Sequence, residues 1–171
     1  MAFVAEDGTG LANANSYDSV ANLDAYWADR NVTLVGTTQV KEAALIVATD
    51  YIDLVFGSRF IGFKATSTQS LAWPRIYARD ENCVYITGVP IKLKYALYEY
   101  VSLILSGIDL MPVPIIDDSG MLLTASFEKV GPIEERKTFQ ATFPRTIRPY
   151  PKADSYLSSL ISGACGGSIR A

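Results

Sequence analysis

The spacing of apolar residues predicts helices in the first two thirds of the chain. The first helix follows Ser19, a residue type that often caps helices, and ends near Arg30. The second starts at Thr37 or Thr38 and runs to about Val55. A third follows a proline that suits a first helical turn and covers residues 91–105.

The second and third helices differ in how their apolar residues are arranged. In the second, one stripe is predicted to face the core, with polar residues opposite; the stripe is Val40, Ala44, Val47, Tyr51 and Val55, and the opposite side is Glu42, Thr49 and Asp53. Leu45 and Ile46 flank the polar side, and they pack either inside the same bundle or against a neighbouring subunit. The third helix is apolar around most of its axis, with a narrow polar arc of Lys92, Glu99, Ser102 and Ser106. We therefore expect it to be buried at the centre of a bundle.

The remaining segments predict extended structure. Residues 58–88 are rich in loop-forming residues, and residues 121–130 and 133–139 are typical of two strands or extended arms around Gly131 and Pro132. Three prolines within residues 143–151 exclude a helix interior or a central strand there. Asp154 is predicted to cap a short last helix over residues 156–161. The fold class is thus mainly α: a small helical bundle with a β-hairpin or extended arms and an extended C-terminal segment. We expect a helical domain at residues 1–138 and a basic, proline-rich arm with a short helix and glycine-rich tail at residues 139–171.

Composition narrows the function classes. The 171 residues include no histidine, which excludes Ser-His-Asp catalysis and histidine-ligated zinc. The net charge of −3 argues against nonspecific coating of DNA. Residues 1–57 carry two bases and eight acids, net −6, whereas residues 136–171 carry six bases and one acid, net +5. This asymmetry is either solvated surface or a head-to-tail contact between copies.

No segment predicts a catalytic, cofactor or metal site. The glycines at residues 163–167 lack the lysine and the following helix of a phosphate-binding loop, and the acidic pairs at residues 117–118 and 134–135 favour solvated turns. The two cysteines, Cys83 and Cys165, are too few and too far apart in sequence for a zinc cluster or a disulfide framework. We therefore expect two buried or idle thiols in a reducing compartment. The N-terminal residues do not resemble a signal peptide, and no apolar run reaches the length of a spanning helix, so we expect synthesis in a cytoplasm and no membrane partner.

Two aromatic and basic groups are candidate interface residues: Trp73, Pro74 and Arg75, and Arg145, Arg148 and Tyr150. Aromatic rings beside cations are what single-stranded DNA binders use, so one hypothesis is stacking on bases. The other is that Trp73 packs over the bundle while Arg75 bonds carboxylates or carbonyls.

Several blocks, in this order and spacing, resemble a known family: EDGTG at residues 6–10, ANSY at 14–17, KEAALI at 41–46, ATDYID at 48–53, LAWPR at 71–75 and EKVGPIE at 128–134. The family is encoded among the head genes of tailed phages and is often labelled as DnaT-like single-strand DNA-binding protein, yet it is similar to head-tail adaptors. The resemblance covers about residues 3–160 and thins after about residue 138.

The resemblance implies a non-enzymatic structural protein of the virion neck. Its copies would form a ring, about twelve in number, that binds the portal and the next tail or neck protein and continues the DNA channel, with nonspecific DNA contact inside it. The alternative is a single-strand DNA-binding protein acting in replication.

Overall fold

The computed structural model describes residues 2–80, 82–112, 125–130, 133–138 and 148–161. The chain forms two compact units, the first combining residues 1–110 with 149–171 and the second covering residues 111–148. Within the described ranges the structure is mainly helical, with four helices, one short pair of two-residue strands and one antiparallel hairpin of six-residue strands. This confirms the predicted fold class. The predicted extended segment at residues 139–147 and the glycine-rich tail lie outside the described residues.

The first two helices begin where the sequence indicates. Helix α1 spans Val20–Ala28, and the Oγ of Ser19 accepts a hydrogen bond from the backbone N–H of Asn22. Helix α2 spans Thr38–Phe56, and the hydroxyl of Thr37 accepts from the backbone N–H of Val40. Each cap satisfies one of the donors that the first helical turn leaves unpaired.

The predicted core stripe of α2 is wrong in part. Val40 and Val47 are half exposed, whereas Leu45 and the supposedly polar-side Thr49 are fully buried. The buried side of α2 is Ala44, Leu45, Ala48, Thr49, Tyr51, Ile52 and Phe56. Because α2 carries apolar residues on two opposite sides, its helical period could not show which of them faces the core.

Helix α3 spans Ile91–Leu105 and lies between α2 and α4, contacting both. Its residues Leu93, Ala96, Leu97, Tyr100 and Val101 are fully buried, as expected for the centre of the bundle. Glu99 departs from the predicted polar arc because it too is buried, with hydrogen-bond and ion-pair partners that replace water.

Helix α4 spans Pro151–Ile161 and starts five residues before the predicted start at Tyr156. Asp154 lies inside its first turn and reaches back, where its carboxylate accepts the backbone N–H of Tyr150 at 2.8 Å. The buried side chains of α4 pack on α3, so residues 149–161 belong to the first unit, and the predicted division at residue 138 does not coincide with the compact units.

The stretch between α2 and α3 forms a loop-rich cover over the bundle. A short 3-10 turn at Gly57–Arg59 leads to strand β1, Phe63–Lys64, which pairs antiparallel with β2, Arg75–Ile76. Cys83 in this stretch is exposed and disulfide-bonded, which corrects the expectation of a buried or idle thiol. Cys165 lies outside the described residues.

The second unit contains the hairpin predicted from the sequence. Strand β3, Ala125–Val130, pairs antiparallel with β4, Ile133–Thr138. The register runs from Ala125 opposite Thr138 to Val130 opposite Ile133.

Candidate interaction surfaces

The tryptophan of the LAWPR block is an interior residue. Trp73 is fully buried, its ring meets Phe60 edge-to-face at 5.8 Å, and the peptide bond to the buried Pro74 is cis. Since Trp73 has no exposed face, it cannot stack on a base, which corrects one of the two hypotheses for this block. Trp73 and Pro74 serve the fold of the isolated chain.

Arg75 holds the surrounding loop by bonding to the backbone. Its guanidinium donates to four carbonyl oxygens, at distances between 2.6 and 3.2 Å; these belong to Phe60, Ile61, Gly62 and Ala72. Burial lowers the pKa of Arg75 from its usual value, although Tyr17 and Asp53 act in the opposite direction. Four of the five N–H donors of the guanidinium are thus committed to the loop, so Arg75 cannot offer the two-point fork that holds a phosphate or a partner carboxylate.

Three of the sequence blocks meet at a single carboxylate. Asp53 on α2 accepts hydrogen bonds from the hydroxyl of Tyr17 and, at 2.8 Å, from the backbone N–H of Ala72. Burial raises the pKa of Asp53, and the bonds from Tyr17 and Ala72 partly offset that rise. The ANSY, ATDYID and LAWPR blocks therefore specify one internal network, which explains their joint presence structurally.

The EDGTG block folds around its own glutamate. The buried Glu6 carboxylate accepts the backbone N–H groups of Gly8, Gly10 and Leu11 at 2.8 to 2.9 Å. Positive φ angles at Gly8 and Gly10 turn the chain so that these groups converge. This block too is a structural device, and it does not resemble a phosphate cradle because an anion already fills it.

Further tyrosine–carboxylate pairs cross the bundle. Tyr26 donates to Glu99 at 2.8 Å, and Tyr100 donates to Asp154. Burial, followed by the bond to its carboxylate, raises the pKa of Tyr100 well above the ordinary tyrosine value. Such phenols stay protonated and act as fixed donors, so the pairs brace helices and do not form an acid–base centre. In the described part of the chain, no group of three or more Cys, Asp or Glu side chains is placed to hold a metal ion.

The outer side of the β1–β2 pair displays aromatic and apolar side chains. Phe63 and Ile76 are paired across the strands and are 69% and 45% exposed, and the following Tyr77 is 69% exposed at a positive φ of 59°. Two residues further on, the Arg79 guanidinium lies 4.3 Å from the ring centre of the exposed Tyr85. We name these five residues, Phe63, Ile76, Tyr77, Arg79 and Tyr85, the hairpin surface. It belongs to the β1–β2 pair of the first unit and is separate from the β3–β4 hairpin.

The sequence pattern does not predict the hairpin surface. Two rules of strand geometry bear on this surface. Residues paired across two strands point to the same side, and neighbours along a strand point to opposite sides, so an inward Arg75 places Ile76 and its partner Phe63 outward. Strands of two residues are too short to show this alternation in the sequence.

A second apolar surface lies along the solvent side of α2. Val40, Ala43, Val47, Asp50 and Leu54 are all exposed and follow the 3-4 spacing of a coiled-coil seam. Val47 is 50% exposed and Leu54 74% exposed. We name these five residues the α2 seam. The α2 seam lies opposite the buried side of α2, so this helix carries apolar residues on two opposite sides, with Asp50 as the charged member of the seam.

The predicted C-terminal interface residues are divided by the structure. Arg148 is exposed, but Tyr150 is buried, with its ring edge-to-face against Tyr51 and Tyr100 and its hydroxyl donating to the carbonyl of Asp109 at 3.1 Å. Arg145 lies outside the described residues. Contact with a partner stays a prediction for Arg145 and Arg148.

An open cleft of about 450 Å³ lies beside α4, lined by Lys92, Lys152, Ser155, Tyr156, Ser158 and Ser159. Its two cations already have partners, since Lys152 pairs with Glu99 at 2.7 Å and Lys92 donates to Ser159 at 3.0 Å. The cleft is therefore a groove between braced side chains and not a preformed anion site.

The fold and these surfaces define a small, mainly helical protein with a tyrosine-braced interior and uncovered apolar side chains outside it. None of the helices in the described ranges is long and apolar enough to cross a bilayer. The chain belongs to the family described as "Putative DnaT-like ssDNA binding protein", whose model matches residues 1–171. No curated protein and no solved structure matches the chain.

Proposed function

We propose that the protein is a structural adaptor of a tailed phage, forming a ring under the portal that joins the head to the tail and continues the DNA channel. The observation that carries the proposal is that one compact unit leaves two apolar surfaces uncovered, the α2 seam and the hairpin surface. Apolar surface of this kind marks sites where another macromolecule packs. Two such surfaces on one small unit suit a protein that contacts more than one neighbour.

Charge supports assembly more than DNA coating. The chain has a net charge of −3, and its acidic N-terminal third and basic C-terminal segment can attract each other between copies or attract different partners. A ring wall needs such oriented contacts. Nonspecific contact with DNA would be confined to the basic residues of the channel side.

The basic segment at residues 145–151 is the part we assign to the portal or to a neighbouring subunit. Arg148 is exposed just before α4, and arginine binds carboxylates in a two-point geometry. Neighbouring prolines reduce the conformational entropy lost when such a segment docks. Because α4 contributes Leu157 and Leu160 to the core, removing residues 139–171 would damage the bundle as well as docking. Point substitutions are the cleaner test.

The deciding experiment is deletion of the gene from the phage or prophage that encodes it. Loss of an adaptor should leave DNA synthesis normal and give separate heads and tails in electron micrographs. Complementation with the Arg145→Glu, Arg148→Glu double variant should fail to join them, whereas an Ile91→Glu variant, altered at an exposed position outside this segment and outside both apolar surfaces, should restore joining. Normal tailed particles after deletion would contradict the proposal.

Single-strand DNA binding is the second candidate, favoured by the description of the family and by the hairpin surface. The exposed rings of Phe63 and Tyr77, and Arg79 stacked on Tyr85, are rings and a cation of the kind that single-strand binders use. Titration of the full chain with a labelled oligonucleotide tests it at about 50 and about 200 mM salt, where a phosphate-binding protein should lose affinity steeply. Tight binding at the lower salt that the Phe63→Ala, Tyr77→Ala double variant abolishes, together with failed phage DNA synthesis after gene deletion, would favour this candidate over the adaptor.

A further inference from the structure

We propose that the α2 seam of one copy binds the hairpin surface of the next copy, so that the chain associates head to tail. The inference deepens the proposed function, on which it rests, by naming the subunit contact. Its occupant is a second copy of this chain. The two surfaces occur on the same compact unit and are both uncovered in it.

The α2 seam has the pattern of a packing face. Its residues recur at spacings of three and four over four turns, with small Ala43 beside the larger Val40 and Val47. This arrangement offers a shallow groove into which another chain's side chains can fit. A helix with apolar residues on both its core side and its solvent side needs a second partner to cover the solvent side.

The hairpin surface has the shape to fill such a groove. Phe63 and Tyr77 project large rings that are each 69% exposed. The exposed Ile76 is paired with Phe63 across the strands and directly precedes Tyr77. Large aromatic side chains projecting from a short, well-anchored loop are typical of the residues that dominate interface energy. The anchor is Arg75, whose four bonds to carbonyl oxygens fix the loop from inside.

Charge distinguishes this pairing from contact between two α2 seams. Apart from the internally bonded Asp53, helix α2 carries Lys41 against Glu42 and Asp50, net −1, and Lys41 already pairs with Asp24 at 2.7 Å. Apart from the internally bonded Arg75, residues 57–88 carry Arg59, Lys64 and Arg79 against Asp80 and Glu81, net +1. Seam against seam would bring acidic surfaces together, whereas seam against hairpin surface joins opposite charges. A contact between two different surfaces propagates into a ring or a filament.

The test is sedimentation of the full chain in low salt with matched glutamate variants. Val47→Glu alters the α2 seam, Phe63→Glu alters the hairpin surface, and Ile91→Glu is the control at an exposed apolar position on α3. We expect concentration-dependent association of the wild type, and dissociation constants raised at least about tenfold in the first two variants but unchanged in the control. Raising the salt to about 0.5 M should weaken association severalfold.

Mixing provides the decisive readout. Val47→Glu protein keeps an intact hairpin surface, and Phe63→Glu protein keeps an intact seam, so an equimolar mixture should form a one-to-one dimer that neither variant forms alone. Folding of every variant is checked by circular dichroism, and Val47→Ala with Phe63→Leu gives a milder pair if a glutamate variant is unfolded.

Three outcomes would overturn the inference: a wild type that stays monomeric at about 0.5 mM, unimpaired association of Phe63→Glu alone, or a mixture without the dimer. Occupation of the hairpin surface by an oligonucleotide in place of a second copy would overturn it too. Failure of the adaptor function shows separately, as normal tailed particles after gene deletion.

Discussion

Tyr98 on α3 donates its hydroxyl hydrogen to the carboxylate of Asp18, which lies just before the N-cap of α1. Asp18 also accepts from the backbone N–H of Ser19 and the side chain of Asn22, and Lys94 forms an ion pair with it at 3.1 Å. Burial by itself would raise the pKa of Asp18, but these hydrogen bonds outweigh burial and hold the pKa below its usual range. The start of α1 is thereby tied to the central helix through one ionised group.

Asp18→Asn should destabilise the protein at neutral pH by about 1–3 kcal/mol, because bonds to a charged acceptor are lost. The folded-state pKa is lowered, so this stabilisation is complete above the unfolded pKa of about 3.9 and is lost as pH falls through the folded value. Urea unfolding at pH 7 and near pH 3 measures both. Asp24→Asn, at an exposed ion pair, is the control and should change stability by less than about 0.5 kcal/mol. An Asp18→Asn deficit that persists undiminished at the lower pH would contradict the assignment.

Gly62, directly before β1, packs closely against the backbone at the end of β2, where there is no room for a side chain. An added Cβ would lie 2.4 Å from the carbonyl oxygen of Ile76 and 2.8 Å from the backbone nitrogen of Ala78, at a φ of +75°. Gly62→Ala should therefore cost about 3 kcal/mol or more. Gly107→Ala is the matched control, because its φ is also positive, at +82°, but its Cβ meets no atom within 4 Å, so it should cost about 1 kcal/mol. Equal losses in denaturant unfolding would mean that crowding at Gly62 is unimportant.

Arg75→Lys should destabilise the loop over the bundle by about 2–3 kcal/mol. A lysine cannot reach the four carbonyl oxygens that the planar guanidinium bonds, and it would leave buried acceptors unpaired. Thermal unfolding gives the global loss, and hydrogen exchange at residues 60–78 should show its location. Arg79→Lys, which changes an exposed arginine, should lie within about 0.5 kcal/mol of the wild type. Comparable losses in both variants would rule out a special role for Arg75.

Leu97→Asp should prevent folding of the first unit, because Leu97 is fully buried and its site offers an unpaired carboxylate no water. Ile91→Asp places the same group at an exposed position in the first turn of α3, where the helix dipole favours a negative charge, and should fold normally. Circular dichroism and gel filtration separate the two. A soluble, helical Leu97→Asp protein would show that α3 is not the centre of the bundle.

The helices could be predicted from the sequence because caps and period act locally. Ser19, Thr37 and Pro90 mark helix starts by their own chemistry, and α3 shows burial on nearly every side. The orientation of α2 could not be predicted, since Val47 and Leu45 lie on opposite apolar sides and only tertiary packing decides between them.

The candidate sites were less predictable than the fold. An aromatic ring beside a cation in sequence, as in Trp73 and Arg75, has the same local pattern whether it faces solvent or the core. Contacts distant in sequence determine that Trp73 and Arg75 face the core. Arg75 donates to carbonyl oxygens at residues 60–62, and Asp53 accepts the backbone N–H of Ala72. The exposed Phe63 and Tyr77 carried no motif at all.

The packing of α4 on α3 makes residues 111–148 an insertion between two parts of one folded unit. The chain leaves the bundle after Leu110 and returns to it before Tyr150, both of which are buried. A single backbone cut within the insertion would therefore leave two fragments held together by the α3–α4 contact. The insertion can accordingly be lengthened, shortened or exchanged without rebuilding the bundle, which makes it the part of the molecule best placed to diverge with its partners.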